Sequence, residues 1–503
     1  MRASRAKTAK KTARKSAAPL VSARLNAQIT LETQADGSIA ASVDGYPIEL
    51  GKFSPDIASR ASELRTGVKL ASLASTVAKH GSIEPLIRWL ARRGLLEYLL
   101  SHARDKRDLV VIEPQVAEYW PQPASLVGTD TIVLSRFAYL RKRGSEMVLE
   151  SPRADALFRI RDPSVASFLA TLATPHTVNR LRRLDGFPGI DLLALLLDCR
   201  LLLKIGAGDD GRRASEGGDN LVVWDFHDLL FHARSTEGRQ ANPLGGLFPH
   251  AGTIAPLPAV RPRWPGQGID LAKSAAIAAE PVSPFASLLN ARHSVRSFDD
   301  ANPITLAELA RLLETAVRIR STWTSDLGFG DAGPIMSYAA RPYPSAGSAY
   351  ELELYLAVAN CDGLARGFYH YDADAHALVP ITVQDHQLDA MLMAAAYAMD
   401  ASSQPQVLIS LAARFGRVCW KYSSIAYSLI LKDVGVLLQT LYLTATDMGL
   451  GGCAIGTNNI DLFAKMTGIE FHVEGPVGQF ALGRASVEDF EQVPGQPDGG
   501  SRD

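Results

Sequence analysis

The sequence predicts an α+β protein with two winged-helix-like modules at its N-terminus and a C-terminal domain in which helices surround a sheet. Three observations predict this arrangement. The first 205 residues contain the same order of elements twice, a glycine-rich segment follows them, and the second half alternates amphipathic helices with strand-like segments. A chain of 503 residues is also longer than one hydrophobic core usually supports, so several domains are expected.

The composition is that of a globular protein, with 47% hydrophobic residues, 21% charged residues and a formal net charge of -1. This balance gives no reason to expect a nucleic acid or a membrane as partner, and no uncharged apolar run reaches the roughly 20 residues that span a bilayer. The cysteines lie far apart and form no CxxC pair, which argues against a metal site or a disulfide framework. We therefore expect a protein of the reducing cytoplasm, with cysteines at Cys199, Cys361, Cys419 and Cys453.

Residues 1–25 begin with the basic stretch "MRASRAKTAKKTARKSAAPL", which contains no acidic residue. The stretch lacks the apolar core of a secretory signal. We expect a disordered basic tail, with contact to an acidic partner as the alternative. A second disordered tail is expected at residues 491–503.

Residues 26–130 and 131–205 each show an extended segment, short helical patterns and a final helix that runs into an apolar strand. The strand-like ends are residues 95–100 in the first copy and 201–205 in the second. That order is typical of a winged helix-turn-helix. We therefore predict two such modules with a boundary near residue 130.

These modules favour a peptide or protein partner over DNA. A DNA-reading helix presents several basic and amide side chains to base edges. The final helix of the second copy, "GIDLLALLLDC", is nearly all apolar, and Arg88, Arg92 and Arg93 of the first copy equally fit a solvated helix face. A winged-helix scaffold offers a strand edge to an extended peptide, so binding by β-augmentation is physically available.

Residues 206–284 have the composition of a linker and connecting segment. The stretch "GAGDDGRRASEGG" is glycine-rich and charged, and "PLPAVRPRWPGQG" is rich in proline. Between them, "LVVWDFHDLLFHARSTEGR" predicts a packed helix. Its histidines, His227 and His232, have no acidic or cysteine cluster nearby that would complete a metal site.

Residues 285–490 carry the candidate chemistry. In "RHSVRSF" the polar residues alternate on an extended or turn segment, and guanidinium groups together with a hydroxyl make a good anion pocket. These polar residues are Arg292, His293, Ser294 and Arg296. An amphipathic helix follows, and Thr305 and Glu308 are predicted to form a capping box at its start.

Three further loops combine small residues with backbone or arginine donors. The stretch "RPYPSAGSAYELELYLAVAN" places Ser345 and Gly347 before a strand predicted over residues 351–359. The stretch "ATDMGLGGCAIGTNN" offers backbone N–H groups, and "GQFALGRA" ends a strand with Gly483 and Arg484. The four loops together fit one bound phosphorylated heterocycle.

The stretch "CWKYSS" sets Lys421 beside Tyr422 just before a long apolar helix, which we predict over residues 424–448. The pair either begins a helix with two polar side chains or forms an acid/base pair over something reactive. The helix is apolar nearly all round, so it is expected to be buried or to lie at an oligomer interface. Lys421 at its start is therefore expected to be partly desolvated.

Residues 285–487 resemble the nitroreductase-like flavin fold, and specifically the SagB-type dehydrogenases, the azoline oxidases of ribosomally made thiazole and oxazole peptides. The resemblance rests on "RHSVRSF", "RPYPSAGSAYELELYL", "KYSSIAYSLILKDVGVLLQTLYLTATDMGLGGCAIG" and "ALGRA", in the family's order and spacing, and on "WDFHDLLFHARS" upstream. It implies an antiparallel or mixed sheet with surrounding helices, a homodimer and an FMN cofactor. The chain departs from the branch at Glu351, where proline is more common.

The resemblance also implies roles for the predicted residues. Arg292, Ser294 and Arg484 would hold the FMN phosphate, with His293 beside them, and Arg296 would face the pyrimidine edge of the ring. The residues that would line the ring or approach flavin N5 are Ser345 and Gly347, expected from the partner subunit, and Gly456 and Thr457.

The implied reaction is the FMN-dependent oxidation of thiazolines or oxazolines to thiazoles or oxazoles in a precursor peptide. It removes a hydride, which the flavin accepts, and a proton, for which the cofactor supplies no base. Lys421 or Tyr422 would be that base, and we favour Tyr422. The implied partners are the precursor peptide and a YcaO-type cyclodehydratase. The alternatives are a general NAD(P)H-dependent nitro or quinone reductase and a peptide-binding adaptor with a structural flavin.

Overall fold

The computed structural model describes most of the chain in eight stretches, which are residues 21–70, 83–102, 105–116, 118–206, 217–236, 250–271, 282–328 and 333–486, apart from positions 28, 35, 44, 45 and 264. Most of the predicted basic tail and the whole predicted tail at 491–503 lie outside the described residues. The chain divides into two compact units, residues 1–217 and 218–503, and this division falls within the predicted linker.

The first unit consists of short strands and short helices. Its strands are β1 (Val21–Leu25), β2 (Ile29–Thr33), β3 (Ser38–Val43), β4 (Tyr46–Lys52), β5 (Val68–Lys69), β6 (Leu96–Ser101), β7 (Asp108–Pro114), β8 (Thr131–Leu134), β9 (Tyr139–Arg143), β10 (Glu146–Glu150), β11 (Ala156–Ile160), β12 (His176–Thr177) and β13 (Leu202–Ile205). Its helices are α1 (Pro55–Arg60), α2 (Glu84–Arg92), α3 (Pro163–Thr171), α4 (Val178–Leu181), α5 (Ile190–Asp198) and a 3-10 helix at Ala61–Arg65. Within the described residues the strands pair antiparallel into a sheet of order β5-β1-β6-β7-β11-β10-β9 and two smaller sheets, β12-β8-β13 and β2-β3-β4.

Strand β1 corrects the boundary of the predicted basic tail, which was placed at residue 25. The pentapeptide "VSARL" alternates, so that Val21, Ala23 and Leu25 are buried and the residues between them are partly exposed. It pairs with β5 and β6. The alternation of these five residues therefore outweighs the charge of the segment before them.

The large sheet also corrects the predicted boundary between two modules near residue 130. Strands β6 and β7 of the first copy continue into β11, β10 and β9 of the second, because β7 pairs with the whole of β11. One hydrophobic core accordingly extends from Val21 to Leu202. In the second copy α3, β12, α4, α5 and β13 follow the predicted order. The winged-helix character of the two copies stays a prediction.

The second unit contains the longer elements. Its helices are α6 (Asp219–Val222), α7 (Phe226–Ser235), α8 (Pro284–Ala291), α9 (Leu306–Ala316), α10 (Asp385–Met399), α11 (Gly416–Cys419), α12 (Ala426–Asp447), α13 (Ile460–Thr467) and a 3-10 helix at Ala346–Ser348. Its strands are β14 (Ser321–Asp326), β15 (Ile335–Ala340), β16 (Leu352–Val358), β17 (Gly367–Asp372), β18 (Ala377–Ile381), β19 (Val407–Arg414), β20 (Gly451–Ile455) and β21 (Glu474–Gly483). Strands β14 and β15 form a hairpin, and the others form a sheet of order β18-β17-β16-β19-β21-β20.

This six-stranded sheet is the scaffold of the second unit. All of its strand pairs are antiparallel, so the predicted antiparallel or mixed sheet is antiparallel in the described residues. Tyr355 on β16 and Phe368 on β17 pack edge-on against Phe463 of α13, in a core shared with Leu388 and Leu392 of α10. Helix α12 packs against β20 and β21.

The starts of α9 and α12 differ in how well the sequence predicts them. The capping box at α9 is confirmed, because Thr305 Oγ1 accepts a hydrogen bond from Glu308 N and Glu308 Oε2 accepts one from Thr305 N at 2.9 Å. Helix α12 begins at Ala426 rather than at residue 424, because Ser424 has a φ of 64°, outside the right-handed helical region.

Helix α12 is the longest helix described, with 22 residues, and by length and composition alone it could cross a membrane. Three of its apolar residues, Ile430, Leu437 and Leu441, are fully buried within the second unit. Helices that are hydrophobic nearly all round occur in the cores of large folded proteins as well. We interpret α12 as such a core helix.

Candidate functional site

Lys421 and Tyr422 lie on the segment between α11 and α12, which we call the Lys–Tyr turn (residues 420–424). Lys421 Nζ donates a hydrogen bond to the carbonyl oxygen of Gly347 at 3.1 Å and lies 5.3 Å from the centroid of the Tyr422 ring. It also lies 5.9 Å from the ring centroid of Tyr338 on β15. The ammonium group is thus held by a carbonyl and two aromatic rings. The expectation that Lys421 is desolvated is wrong for the single chain, where this side chain is exposed.

Gly347 is the residue that meets both side chains of the pair. Its backbone lies in the left-handed region, with φ 56° and ψ 31°. A Cβ atom at this position would lie 2.5 Å from the Tyr422 hydroxyl oxygen and would also collide with Lys421 Nζ. Only glycine therefore allows the loop 345–350 to approach the two side chains this closely.

The loop that contains Gly347 has a strained backbone, and side chains from outside the loop fix its conformation. Two of its other residues, Ser348 and Tyr350, have positive φ angles of 55° and 44°. Such residues cost of order 1–3 kcal/mol each and persist only where their surroundings fix them. One fixing contact comes from Arg417 on α11, whose guanidinium donates to the carbonyl oxygen of Ala349 at 2.8 and 3.1 Å.

A buried carboxylate pair, Glu351 and Asp433, supplies further contacts to this loop. The hydroxyl of Ser345 lies 2.9 Å from Asp433 Oδ2 and 3.3 Å from Glu351 Oε2. Asp433 Oδ2 also accepts a hydrogen bond from Ala346 N at 2.9 Å. Burial, together with the negative charge of Asp433, raises the pKa of Glu351 to about 7. The sequence predicts Ser345 as a residue that lines the flavin, and in this chain its hydroxyl bridges two acids.

The start of α7 supplies caps for the start of α12. Asp225 accepts a hydrogen bond from Ser424 N, and Asp228 Oδ2 accepts one from Tyr427 N at 3.2 Å. His227 Nε2 lies 3.1 Å from the carbonyl oxygen of Ser424. Asp228 satisfies a backbone N–H group that the first turn of a helix leaves unpaired, and Asp225 satisfies that of Ser424 just before the helix. The charge of both carboxylates suits the positive end of the helix dipole. The Lys–Tyr turn is therefore fixed from the α7 side.

Two of the predicted phosphate residues lie near the other end of α12, around Tyr442. Ser294 Oγ and the Tyr442 hydroxyl are hydrogen-bonded at 2.8 Å, and the same hydroxyl oxygen accepts a hydrogen bond from Ala454 N at 2.7 Å. The guanidinium carbon of Arg292 lies 5.2 Å from the centroid of the Tyr442 ring. The structure thus brings Arg292 and Ser294 together on one tyrosine.

The other predicted phosphate residues have different surroundings. Arg484 pairs with Glu308, since its Nη2 lies 2.9 Å from both carboxylate oxygens, so its charge is already neutralised in the single chain. His293 Nδ1 lies 2.9 Å from the carbonyl oxygen of Ala291, whereas its Nε2 is buried with no hydrogen-bond partner among the described residues. Arg296 is exposed.

Gly456 and Thr457 follow β20 and belong to the Tyr442 end of α12, because Ala454 shortly before them bonds to Tyr442. A Cβ atom at Gly456 would meet nothing within 4 Å. Asp433 and Tyr442, which hold the two groups of predicted residues, are nine positions apart on α12, about 14 Å along a helix axis. Within one chain most of the predicted site residues therefore form two groups at separate positions on α12, and Arg484 and Arg296 belong to neither group on the contacts described.

Sequence reasoning missed the residues that hold these groups in place. Asp433 and Tyr442 interrupt an apolar helix, and buried polar side chains nearly always have partners, so this interruption was an available signal. Asp225 and Asp228 sit in a stretch that the sequence assigns only to a packed helix. Their capping role depends on a contact with residues about 200 positions later, which no local pattern reveals.

Comparison with known proteins finds two families that match different parts of the chain. Residues 289–484 match the model of the nitroreductase family, and residues 132–241 match the model of the cyanobactin oxidase ThcOx. The "Putative nitroreductase" of Methanocaldococcus jannaschii is 32% identical over 167 residues, which cover 33% of this chain and 74% of the relative.

Two solved structures are also similar. The Escherichia coli microcin synthetase McbBCD complex, with truncated pro-MccB17 bound, is 19% identical with a TM-score of 0.37, covering 52% of this chain and 95% of the solved chain. The "putative nitroreductase" of Ralstonia eutropha is 22% identical with a TM-score of 0.31, covering 41% of this chain and 85% of the solved chain.

The class of protein that these matches define is an oxidoreductase. The chain belongs to the nitroreductase family, because a relative of that kind is 32% identical over most of the relative's length. The cyanobactin oxidase match alongside it confirms the predicted resemblance to the azoline oxidase branch.

The residues around Tyr442 fit the flavin that proteins of this family typically bind. Arg292 and Ser294 offer a guanidinium group and a hydroxyl to a phosphate, and Nε2 of His293, which has no partner in the described part of the chain, offers one more polar atom. Arg484 fits less well, because a phosphate would have to displace Glu308 from it. These three residues, Arg292, His293 and Ser294, which we call the Arg292 group, are therefore the candidate phosphate site of this chain.

Proposed function

We propose that the chain is an FMN-dependent dehydrogenase that oxidises thiazoline or oxazoline rings to thiazoles or oxazoles in a ribosomally synthesised precursor peptide. The observation that carries the proposal is the Lys–Tyr turn. Lys421 and Tyr422 are polar groups of the kind used as acid and base, and both face Gly347 on a strained loop. Strain and fixed side chains of this sort concentrate at functional sites.

The proposed reaction needs a base beside a hydride acceptor. Forming an azole removes a hydride from one ring carbon and a proton from its neighbour. FMN, when bound, supplies the hydride acceptor and passes the electrons on to oxygen. In our assignment Tyr422 acts as the base in its phenolate form. The Lys421 ammonium group, 5.3 Å from the Tyr422 ring, stabilises that negative charge, which is lost when Tyr422 takes the proton from the ring carbon.

An aromatic surface next to Lys421 suits the substrate ring. Trp323 on β14 stacks on Tyr338 of β15, with ring centroids 5.6 Å apart and planes inclined by 12°, and Trp323 is 46% exposed. Tyr338 in turn is the ring that Lys421 approaches. A flat five-membered heterocycle in a peptide would find a stacking partner here, close to the proposed base.

Two copies of the chain would complete the site. The Arg292 group and the Lys–Tyr turn sit at separate positions on α12, with Asp433 and Tyr442 about 14 Å apart. A two-fold dimer that pairs the Arg292 group of one copy with the Lys–Tyr turn of the other would bring both to one flavin. Burial of Lys421 in such a dimer would also supply the desolvation that it lacks in the single chain.

The first unit would serve the macromolecular substrate. We assign it to docking of the precursor peptide or of the cyclodehydratase that forms the azolines. Its exposed edge strand β9 carries Arg141, Lys142 and Arg143, and an edge strand can add a peptide strand by backbone pairing. The reducing cytoplasm is the proposed place of action, in keeping with the burial of Cys199 and Cys361.

The test is an anaerobic titration of the flavin-loaded protein with an azoline-containing peptide, followed by the visible flavin absorption. Wild type is expected to bleach, and Lys421→Ala and Tyr422→Phe to bleach slower by about 10²- to 10⁴-fold, the usual worth of a general base. Lys465→Ala, at an exposed lysine of α13, is the matched control and is expected to behave as wild type. Equal bleaching by all four proteins would refute the mechanism, and absence of a flavin band would refute the cofactor.

A general nitro or quinone reductase is the second candidate, favoured by the 32% identity to the archaeal relative. A reductase of this kind needs no base for a carbon-bound proton. Turnover of NAD(P)H with a nitro compound that is indifferent to Lys421→Ala, without any reaction with azoline peptides, would establish it. A protein that binds the peptide but whose flavin is reduced by neither substrate would be an adaptor with a structural flavin.

A further inference from the structure

The Glu351–Asp433 pair has no part in the chemistry proposed above. Asp433 nevertheless binds the backbone of Ala346, the residue just before Gly347, which contacts Lys421. The side chains of the pair are 0% and 6% exposed. Glu351 Oε1 has no hydrogen-bond partner in the part of the chain that the structure describes, and Oε2 shares the Ser345 hydroxyl with Asp433. Two ionised carboxylates on one hydroxyl, away from water, repel each other strongly.

The charged and titratable groups around the pair do not remove this repulsion by contact. Arg417 on α11 is a cation whose field reaches Glu351, but its guanidinium donates to the backbone carbonyls of Ala349 and Ser337. Within the described residues, the other titratable groups that interact electrostatically with Glu351 are acids. They are Asp433 on α12, Cys419 on α11 and Tyr343 before the loop.

We propose that Glu351 and Asp433 share one proton at neutral pH, and that this protonated pair positions Lys421 through the loop 345–350. The chain of contacts is short. Asp433 holds Ser345 Oγ and Ala346 N, and the next residue, Gly347, offers the carbonyl that receives Lys421 Nζ at 3.1 Å. Loss of the proton would place a second negative charge against Asp433 and push the strained loop out of this position. Glu351 is thus a positioning residue, and its role toward Lys421 rests on the proposed function.

The first test is thermal stability as a function of pH, which needs neither substrate nor turnover. The pKa of Glu351 is about 7 in the folded chain against 4.5 as the usual value. Between these values the folded state holds a proton that the unfolded state has lost, so the free energy of unfolding falls as pH rises through this window. Glu351→Gln stays neutral, so its Tm is expected to exceed that of wild type by an amount that grows from about pH 4.5 to about pH 7 and stays constant above.

The second test is the pH dependence of flavin reduction by an azoline peptide. Above about pH 7 the wild-type rate is expected to decline as the shared proton is lost, and in Glu351→Gln this decline is expected to disappear. Glu353→Gln is the matched control, because Glu353 lies only two residues further along the chain, on β16, but faces His370 and Arg414. It is expected to keep the wild-type decline.

The outcomes separate the parts of the proposal. Parallel Tm curves for wild type and Glu351→Gln would overturn the shared proton. A diverging Tm with parallel rate profiles would overturn the positioning of Lys421. A diverging Tm in a protein whose flavin no azoline peptide reduces would support the shared proton and refute the proposed function instead. Should Glu351→Gln fail to fold, Asp433→Asn tests the same pair, since loss of its charge is expected to lower the pKa of Glu351, so that the fall in Tm becomes smaller and ends at lower pH.

Discussion

Gly347 shows how one residue without a side chain sets the geometry of two that have them. We expect Gly347→Ala to lower the rate of flavin reduction by at least about tenfold, because the new Cβ would displace the Tyr422 hydroxyl and Lys421 Nζ, and small misplacements of catalytic groups are expensive. Stopped-flow absorption measures this rate. Gly416→Ala is the control, since a Cβ there meets nothing within 4 Å, and an equal loss in both variants would contradict the prediction.

Arg292 and Arg484 are predicted as phosphate ligands but differ in their partners. We expect Arg292→Ala to raise the Kd for FMN about tenfold or more, since a hydrogen bond to a charged group contributes about 1.5–3 kcal/mol. Arg484→Ala is expected to have a smaller effect, because Arg484 is already paired with Glu308. Quenching of flavin fluorescence measures both constants, with Arg311→Ala on the exposed face of α9 as control. A larger effect at Arg484 would reverse the assignment.

At the residue scale the sequence predicts the residues that meet at the candidate site better than it predicts the residues that hold them in place. Lys421, Tyr422 and Gly347 were predicted from separate motifs, and the structure brings them into contact. Asp433 carries a signal in the sequence, since it interrupts an apolar helix, but Glu351 looks like any other acid until its neighbours are known. Burial and pairing are properties of the folded chain, so their effect on a pKa has no signature in sequence.

Among the elements, α7 has the most specific task. We expect Asp225→Ala and Asp228→Ala each to lower stability by about 1 kcal/mol, the usual value of a helix cap, and to slow flavin reduction by loosening the Lys–Tyr turn. Asp225→Asn keeps an oxygen acceptor for Ser424 N and is expected to retain most of the stability. Hydrogen exchange of the amides at the start of α12 measures the loosening. Unchanged exchange in Asp225→Ala would show that the cap is dispensable.

Helices and strands of the second unit follow from local patterns, with boundaries within a few residues. Strand β16 and the capping box of α9 agree with the sequence, since alternation and capping are local properties. The start of α12 does not, because the positive φ of Ser424 and the caps from α7 depend on distant contacts. Element ends that are set by tertiary contacts escape a local pattern.

The two-copy site is the prediction for the whole molecule. At an FMN concentration well below the Kd expected for Arg292→Ala, this variant and Lys421→Ala are each expected to be nearly inactive alone. Refolded together at equal amounts, they are expected to recover about a quarter of the wild-type rate, because half of the dimers are mixed and each mixed dimer has one intact site. Light scattering would establish the dimer. No recovery from a confirmed mixture of dimers would place both residues in one chain's site.

The architecture of the first unit is where the sequence misled most. Its internal similarity predicts two modules, but the strands of both copies share one sheet, since β7 pairs with β11. Pairing between distant strands is decided by shape and burial across the whole sheet rather than by either copy. The predicted repeat therefore does not mark a structural boundary near residue 130.

Because Asp433 and Tyr442 lie on one helix, the number of residues between them on α12 has to stay constant. Inserting or deleting a single residue between them would turn one end against the other by about 100° and shift it by about 1.5 Å. Tyr442 would then swing away from Ser294 while Asp433 stayed under its loop. The interval between the two residues should accept many changes of side chain and no change in the number of residues.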